Sequence, residues 1–322
     1  MKIDDRVYGE KEIEKQVILD LIDSDPVQRL KKVHQAGPQP FFMDKKAMTR
    51  YEHSLGVFLL LRDHGASIEE QIAGLLHDVP HTAFSHTADF VFDTDDHEYH
   101  DRFLEKVVRD SEIPEILDKH GLDLEFILDE ENFGLLERDA PDLCADRIDY
   151  FLRDSKSYGG WDVERFVESL TTHEGMFVLD DPEIAVEFAE KYAEADEEWW
   201  ANPKEVVVIK LFAQALRKAI ETEVMAEEEL FKNDEEVLEK LRSSEDSKIQ
   251  EKLRLLEKGF SIELEAKNPD MHVKTKARSV NPPILTNGEL KKATEFSKEL
   301  QEEIDQHMNF VGNGYDVKII EE

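Results

Sequence analysis

The sequence predicts a mainly α-helical protein with a small mixed α/β module at its C-terminal end. Two observations lead to this prediction. Apolar residues recur at helical spacing through most of the first 257 residues. After about residue 258, apolar and polar residues alternate in several short runs, which is typical of strands. We therefore predict a helical domain over residues 1–257 and a small α+β module over residues 258–322.

Two helices with apolar faces are predicted before residue 80. One surrounds His53, and the other runs from Ser67 to Val79. Pro80 should end the second helix, because proline has no amide hydrogen and its ring clashes with the preceding turn. His77 therefore lies on the last turn of this helix, where its side chain can project into a cavity.

The remaining elements follow from the same two periodicities. The other predicted helices lie within 11–35 and at 97–110, 113–119, 123–129, 134–153, 162–171, 182–200, 206–230 and 234–257. The C-terminal module is predicted to contain strands at 261–266, 273–278 and 315–320, with a helix near 288–308.

Charge and cysteine content narrow the classes of function. The 322 residues include 75 acidic and 40 basic side chains, which gives a formal charge of -35. This excess argues against general nucleic-acid or anionic-membrane binding, because both need a positive surface. It is also compatible with a high-salt cytoplasm. The single cysteine, Cys144, excludes an intramolecular disulfide. Because we find no signal peptide and no long apolar run, we expect a cytoplasmic protein that does not span a membrane.

Histidines are concentrated in the first third of the chain, where five of twelve lie between His53 and His86 in otherwise apolar helices. A buried imidazole needs a hydrogen-bond partner or a metal. His53, His77, Asp78 and the distant Asp146 offer two imidazoles and two carboxylates from three helices. An octahedral divalent ion with these four ligands keeps two positions for water and substrate. Spacing alone leaves a purely structural role open, since single helical histidines are more often core or surface residues.

The motifs around these residues resemble those of the HD-domain metal phosphohydrolases, whose pattern is a histidine, a His-Asp pair and a distant aspartate. The resemblance covers roughly residues 20–160 and is closest to the deoxynucleotide triphosphohydrolase branch, which includes the SAM- and HD-domain dNTPase of vertebrates. The segments that carry it are Arg50-Tyr-Glu-His-Ser-Leu-Gly-Val57, Leu76-His-Asp78 with Phe84-Ser-His86, and Asp146-Arg-Ile-Asp-Tyr-Phe-Leu-Arg-Asp154.

The resemblance implies an HD-domain helical bundle and a role for each residue of the site. It implies a divalent metal (Mn, Fe, Mg, Co, Ni or Zn) whose ligands are His53, His77, Asp78 and Asp146. The residues implied to contact phosphate are Arg50, His81 and Arg147. Those implied to assist the leaving group, as a His–Asp–His set, are His86, Asp89 and His97. Those implied to contact the sugar are Gln35, Tyr150 and Asp154.

The implied activity is metal-dependent hydrolysis of (deoxy)nucleoside triphosphates to nucleoside and triphosphate. Ala36 stands where vertebrate members of the branch have a larger apolar residue that helps to exclude a 2'-hydroxyl, so strict selection of deoxyribose is not implied. One alternative is a phosphodiesterase or phosphatase acting on cyclic nucleotides, alarmones or nucleoside monophosphates. A second alternative is a non-catalytic nucleotide sensor. Relatives in this branch assemble as dimers or higher oligomers, so the resemblance also implies a homo-oligomer.

Overall fold

The computed structural model describes residues 1–94 and 99–321. Over these ranges the chain forms sixteen α-helices and nine short strands, so the prediction of a mainly α-helical fold is confirmed. The helices are α1 (Gln16–Ile22), α2 (Asp25–Arg29), α3 (Gln39–Phe42), α4 (Arg50–Asp63), α5 (Ile68–Leu76), α6 (Thr87–Phe92), α7 (Leu104–Arg109), α8 (Ile113–Lys119), α9 (Leu124–Leu128), α10 (Ala145–Asp154), α11 (Glu164–Ser169), α12 (Pro182–Ala195), α13 (Pro203–Glu221), α14 (Asp234–Arg242), α15 (Ser247–Lys258) and α16 (Lys298–Asn313). The strands are β1 (Lys2–Asp5), β2 (Gly9–Glu12), β3 (Leu170–His173), β4 (Met176–Leu179), β5 (Phe260–Leu264), β6 (Met271–Val273), β7 (Pro283–Thr286), β8 (Glu289–Lys292) and β9 (Tyr315–Glu321).

Helix α4 is the centre of the fold and contacts both α5 and α10. Every residue from His53 to Leu61 is buried, which is expected of a helix enclosed by other elements. A capping box fixes where the helix begins. The Thr49 hydroxyl accepts a hydrogen bond from the Glu52 amide, and the Glu52 carboxylate accepts one from the Thr49 amide. The position of Arg50 in the first turn follows from this cap.

Helix α5 ends at Leu76, three residues before the predicted end at Val79. Ser67 caps its first turn as expected, because its side chain accepts a hydrogen bond from the Glu70 amide. The chain then continues in tight turns to α6, and His77 immediately follows the last helical residue. The turn begins before Pro80, which agrees with the restriction that proline places on the residues preceding it.

Residues 134–144 were predicted as the start of a long helix, and this prediction is wrong. They form a loop without a regular helix, and α10 begins at Ala145. A long-range contact competes with the helix, because the Glu70 carboxylate accepts hydrogen bonds from the amides of Leu135 (2.7 Å) and Leu136 (3.1 Å). The loop therefore places residue 146 in the first turn of a helix, beside the site.

Two other differences concern elements that local pattern did not reveal. The N-terminal residues form an antiparallel β1–β2 hairpin. The predicted helix at 234–257 is divided into α14 and α15, because Asp246 accepts hydrogen bonds from the Lys248 and Ile249 amides and so caps a new helix.

The C-terminal residues contribute to two sheets. Strands β5, β9 and β6 form one antiparallel sheet, and β5 and β9 overlap the strands predicted at 261–266 and 315–320. The strand predicted at 273–278 is wrong, because β6 covers Met271–Val273 and the following residues do not pair with a strand in the described ranges. Strand β7 pairs in parallel with β4 through Leu179 and Ile284. Residues on both sides of position 258 thus share a sheet, and the domain boundary at that position stays a prediction. The predicted helix at 288–308 begins later, because β7 and β8 form a hairpin through Asn287 and Gly288, both with positive φ.

None of the helices in ranges 1–94 and 99–321 combines the length and the apolar character needed to cross a bilayer. The cytoplasmic location and the homo-oligomer stay predictions.

Candidate metal centre

Three elements bring His53, His77 and Asp146 together. His53 lies in the first turn of α4, His77 follows α5, and Asp146 lies in the first turn of α10. The Nε2 atom of His53 is 2.9 Å from Oδ1 of Asp146 and 3.3 Å from Nε2 of His77. Within the described ranges, these three residues form a group with the ligand types and proximity of a metal site.

The hydrogen bonds of the two imidazoles favour a metal at their Nε2 atoms. Nδ1 of His53 lies 2.8 Å from the Asp149 carboxylate, and Nδ1 of His77 lies 2.7 Å from the Gly74 carbonyl oxygen. Each Nδ1 therefore carries a proton, so Nε2 is the nitrogen of each ring that can bind a metal or, without a metal, take up a second proton. The two Nε2 atoms and a carboxylate oxygen face one another, and a shared proton or a cation can hold such an arrangement together. The donor set fits a divalent metal with nitrogen and oxygen ligands.

The electrostatics of the three residues agree with this fit. Burial lowers the pKa of His53, but the carboxylates of Asp146 and Asp149 outweigh burial and raise it to about 10. Burial raises the pKa of Asp146, but the imidazoles of His53 and His77 hold it well below its usual range. The site thus attracts positive charge between its ligands.

Asp78, the fourth predicted ligand, lies beside this group and also pairs with Arg50. Its Oδ1 is 3.5 Å from Nε2 of His77, and Nη1 of Arg50 donates to both of its oxygens at 2.7 and 2.8 Å. Nε of Arg50 donates to the Ser85 hydroxyl at 2.8 Å. Within the described residues, Nη2 of Arg50 has no hydrogen bond to a protein acceptor. The phosphate-binding role of Arg50 stays a prediction. Its Nη2 group is available to donate a hydrogen bond to a phosphate.

A histidine group lies next to Asp78. Nε2 of His81 is 3.2 Å from Oδ1 of Asp78, and the His81 ring stacks on that of His100 with centroids 3.5 Å apart. The ring of His86 packs edge-on against that of His81, at 4.9 Å between centroids. Sequence analysis gave no role to His100, because the resemblance offers no counterpart for this residue. His97, predicted as part of the His–Asp–His set, lies outside the described residues.

His86 and Asp89 form the expected pair. Nδ1 of His86 is 3.1 Å from Oδ2 of Asp89, whose other oxygen accepts hydrogen bonds from the Thr94 hydroxyl and the Tyr99 amide. Burial lowers the pKa of His86, and the charge of Arg50 lowers it further, while the hydrogen bond to Asp89 opposes both. The imidazole is therefore neutral at pH 7 in the protein without substrate.

Farther along α10, Tyr150 and Asp154 lie on the same face as Asp146, at intervals of four residues. The Tyr150 hydroxyl contacts that of Tyr192. Oδ2 of Asp154 accepts a hydrogen bond from Nε1 of Trp200 at 2.7 Å. Within the described ranges, the buried Oδ1 of Asp154 has no hydrogen-bond partner. Burial raises the pKa of this carboxyl to about 6.

The two remaining residues that were predicted to contact substrate in this part of the site are Gln35 and Arg147. Gln35 lies beside the first turn of α4, and its buried Oε1 has no partner within the described residues. Arg147 is held by the loop before α10. Its guanidinium donates to the carbonyl oxygens of Asp142 and Arg138 and contacts the Cys144 sulfur at 3.2 Å. The contact of Arg147 with phosphate stays a prediction.

The loop and Asp146 also form a second group of candidate ligands, made of Glu137, Cys144 and Asp146. Nη2 of Arg147 lies 3.4 Å from Oε1 of Glu137. Burial and the charge of Asp146 raise the pKa of Glu137 to about 7. Because the guanidinium contacts both Glu137 and Cys144, we interpret this group as a cradle for Arg147.

Sequence analysis also missed the residues that orient His53. Asp149 is fully buried, and Arg153 donates to it through Nε (3.0 Å) and Nη2 (2.8 Å). Nη1 of Arg153 in turn donates to Asp5 of the N-terminal hairpin at 3.1 Å. The sequence contained a signal for this pair. Asp149 and Arg153 are four residues apart, and opposite charges at this spacing attract each other on one face of a helix.

Comparison with known proteins identifies the family and the relatives that this sequence resembles. The HD domain model matches residues 50–154, a range that begins at Arg50 and ends at Asp154. The uncharacterized protein YdhJ of Bacillus subtilis is 38% identical over 326 residues, which span the whole of both chains. The metal-dependent phosphohydrolase cns2 of Cordyceps militaris is 35% identical over 229 residues, 68% of this chain and 66% of that protein.

Two further similarities bear on function and fold. A deoxynucleoside triphosphate triphosphohydrolase SAMHD1 homolog of Dictyostelium discoideum is 28% identical over 190 residues, 49% of this chain and 36% of that protein. The crystal structure of a hypothetical protein from Aquifex aeolicus superposes with a TM-score of 0.70 at 25% identity, and the match covers 94% of this chain and 93% of that one. The similarity in fold is thus not confined to the matched range of 50–154.

Proposed function

The chain belongs to the HD-domain metal-dependent phosphohydrolases, and from that premise we propose that it hydrolyses (deoxy)nucleoside triphosphates to nucleoside and inorganic triphosphate. The observation that carries this substrate class is the buried Oδ1 of Asp154, which has no hydrogen-bond partner in residues 1–94 and 99–321 and lies on the helix face that also bears Asp146. Eight residues of helix separate the two carboxylates, which is about 12 Å along the axis. This separation is on the scale of one nucleotide, with a phosphate at one end and a sugar at the other.

At the sugar end, Oδ1 of Asp154 would accept a hydrogen bond from a hydroxyl group of the substrate. A buried carboxylate oxygen without a donor costs free energy, which a ligand hydroxyl would recover on binding. Trp200 holds the other oxygen of Asp154 and packs edge-on against Tyr150 with centroids 5.0 Å apart. The ribose would lie against these aromatic rings. Oε1 of Gln35, which also lacks a partner in the part of the chain that the structure describes, is a second buried acceptor that supports a hydroxyl-bearing ligand.

At the phosphate end, His53, His77, Asp78 and Asp146 would hold the metal, which when bound would polarise the phosphoryl group and activate water. Arg50 would donate to a phosphate oxygen through Nη2, because its Nε and Nη1 are already committed to Ser85 and Asp78. A guanidinium that is fixed in this way loses little conformational freedom when it binds.

His86 would supply the proton that the leaving group needs. In this hydrolysis a water oxygen bonds to the α-phosphorus, the bond from that phosphorus to O5' breaks, and O5' takes a proton. His86 is neutral in the unliganded protein, so it must gain a proton before it can act as the acid. The negative charge of a bound triphosphate favours the imidazolium, so protonation of His86 would accompany substrate binding. Asp89 would keep the ring oriented.

The test is to incubate the purified protein, loaded with Mn²⁺ or Mg²⁺, with each dNTP and each NTP and to separate the products by chromatography. We expect equal amounts of nucleoside and triphosphate, and no turnover by the His77→Ala variant. Release of orthophosphate or pyrophosphate, or no reaction with any nucleoside triphosphate, would refute the proposal.

The same assay extends to the two alternatives. Cyclic nucleotides, alarmones and nucleoside monophosphates test for a phosphodiesterase or phosphatase that uses the same centre. Tight binding of a nucleotide without turnover in any metal would indicate a sensor instead.

A further inference from the structure

Asp234 is a fully buried carboxylate outside the matched range of 50–154, and the proposed reaction does not use it. It is the first residue of α14. Its Oδ1 accepts a hydrogen bond from the Phe84 amide at 2.7 Å, and its Oδ2 accepts one from the His34 amide at 2.9 Å. Nδ1 of His34 lies 2.7 Å from the same Oδ2. Asp234 therefore joins two segments that lie 150 and 200 residues before it in the chain.

Phe84 and Ser85, in the turn that Asp234 contacts, have a backbone conformation that residues other than glycine rarely adopt. Their φ angles are 60° and 52°, and both residues are buried. Such a conformation persists only where surrounding contacts hold it, and it is common at functional sites. The hydrogen bond from the Phe84 amide to Asp234 is one of these contacts. The Ala83 amide supplies another, because it donates to the Leu230 carbonyl oxygen at 2.7 Å.

The Ser85 hydroxyl connects this turn to Arg50. It donates to the His34 carbonyl oxygen at 2.6 Å and accepts from Nε of Arg50 at 2.8 Å. A hydroxyl has one hydrogen, so the bond to His34 leaves only lone pairs for the guanidinium. Asp78 accepts from Nη1 of the same guanidinium. Ser85 and Asp78 together thus hold two of its nitrogen atoms and set the direction of the third, Nη2.

Asp234 and Ser85 also hold His34 from its two backbone groups. Asp234 accepts from the His34 amide, and Ser85 donates to the His34 carbonyl oxygen. The His34 segment, the Phe84–Ser85 turn and the start of α14 therefore form one hydrogen-bonded unit. Its contact with the phosphate end of the site is the hydrogen bond between Ser85 and Arg50.

We propose that Asp234 is a positioning residue for Arg50 and acts through the Phe84–Ser85 turn. This inference rests on the proposed function, in which Nη2 of Arg50 binds phosphate. The contacts lead from the Asp234 carboxylate to the Phe84 amide, and from the adjoining Ser85 hydroxyl to the guanidinium. A misplacement of about 1 Å, caused far from the chemistry, can lower the rate of catalysis about 10²-fold. The helix α14 thus contributes to phosphate binding without touching the phosphate.

The experiment compares Asp234→Asn with Asp246→Asn in the full-length, metal-loaded protein. Asparagine keeps the shape of the side chain, but its amide nitrogen cannot accept a hydrogen bond. Either the Phe84 amide or the His34 amide therefore loses its acceptor. Asp246 accepts hydrogen bonds from two amides in the first turn of α15. Its variant removes the same charge and disturbs a similar pair of hydrogen bonds away from the turn.

Calorimetry measures the binding of inorganic triphosphate. This probe has no sugar, so a change at His34 that reaches the neighbouring Gln35 does not alter the signal. We expect Asp234→Asn to weaken triphosphate binding at least about tenfold and to keep the bound metal. Asp234→Glu, which keeps both carboxylate oxygens, should restore part of the loss. We expect Asp246→Asn to match the wild type.

The Ser85→Ala variant tests the route, because it removes the hydroxyl and leaves Asp234 in place. We expect it to weaken triphosphate binding, and we expect the double variant with Asp234→Asn to bind within about twofold of Ser85→Ala alone. If the losses of the two single variants multiply, Asp234 does not act through Ser85 and the inference is wrong. Wild-type affinity in Ser85→Ala would overturn the inference even if Asp234→Asn failed to fold, which its melting temperature reports.

Steady-state kinetics separate the inference from the proposed function. We expect Asp234→Asn to raise KM for the best nucleoside triphosphate. If the wild type hydrolyses a nucleoside triphosphate and Asp234→Asn equals Asp246→Asn in KM and in triphosphate affinity, the assignment of Asp234 is wrong and the proposed function stands. If the wild type hydrolyses no nucleoside triphosphate, the proposed function is wrong, and the assignment fails with it.

Discussion

Nδ1 of His53 lies 2.8 Å from Oδ2 of Asp149, and this contact orients the imidazole so that Nε2 faces His77 and Asp146. Asp149 is itself held by two hydrogen bonds from Arg153. A carboxylate behind a metal-binding histidine fixes the tautomer and raises the basicity of the ligand nitrogen. The orientation of His53 in the candidate metal centre therefore depends on a buried charge pair outside the group of candidate ligands.

The first prediction concerns Asp149→Asn. The amide keeps the shape of the side chain but removes the charge behind His53, so we expect metal affinity to fall about 10- to 100-fold. Metal titration followed by calorimetry measures the change. Asp110→Asn, at an exposed position on the surface, is the matched control. An unchanged affinity in Asp149→Asn would show that the ring is oriented by packing alone.

The second prediction concerns Gly56, which lies on α4 against this pair. A Cβ at Gly56 would be 2.0 Å from both Nη2 of Arg153 and Oδ1 of Asp149. Gly56→Ala should therefore separate a buried ion pair, at a cost of about 3–5 kcal/mol in the free energy of unfolding. Gly312→Ala is the control, because a Cβ there meets no atom within 4 Å and alanine favours a helix. We expect the control to be neutral or slightly stabilising in urea denaturation.

The third prediction separates the metal ligands from the acid. His77→Ala removes one Nε2 donor, and we expect loss of the bound metal together with turnover. His86→Ala should keep the metal and lose turnover by about 10²- to 10⁴-fold, the usual contribution of a general acid. Elemental analysis of the purified variants gives the metal content. Loss of metal from His86→Ala would place that residue in the ligand set.

The sequence predicted the parts of the site that lie in recognisable motifs, and it failed where the structure depends on contacts between residues that are far apart in the chain. His53, His77 and Asp146 were predicted because a motif carries them, and the structure brings their ligand atoms together. The loop at 134–144 was predicted as helix because apolar spacing does not reveal that the Glu70 carboxylate, more than sixty residues away, binds its amides.

The fourth prediction concerns the ionisation of Asp154. Burial raises its pKa from the usual value of 3.8 to about 6 in the folded protein. A raised pKa of this kind favours the folded state fully below about pH 4, and the contribution is lost as pH rises through about 6. We therefore expect Asp154→Asn to gain stability relative to the wild type between these pH values, by roughly 3 kcal/mol at most.

Urea denaturation at pH 4, 5, 6 and 7 measures this difference for Asp154→Asn. The exposed Asp110→Asn variant should show no such trend. A constant difference between wild type and Asp154→Asn over this range would mean that Asp154 is solvated and that its Oδ1 is not the open acceptor proposed for the sugar.

The last prediction uses the lowered pKa of His86. Burial and the charge of Arg50 keep this imidazole neutral in the free protein, and a general acid must be protonated to act. The pH profile of kcat/KM reports the free protein, whereas that of kcat reports the substrate complex. A triphosphate bound beside His86 would raise the pKa of this imidazole, so the alkaline decline of kcat should lie at higher pH than that of kcat/KM. In His86→Ala both declines should flatten, while His272→Ala, about half-exposed on β6, should keep them. Coincident declines for kcat and kcat/KM in the wild type would mean that substrate does not protonate His86, and the acid would then have to be sought elsewhere in the histidine group.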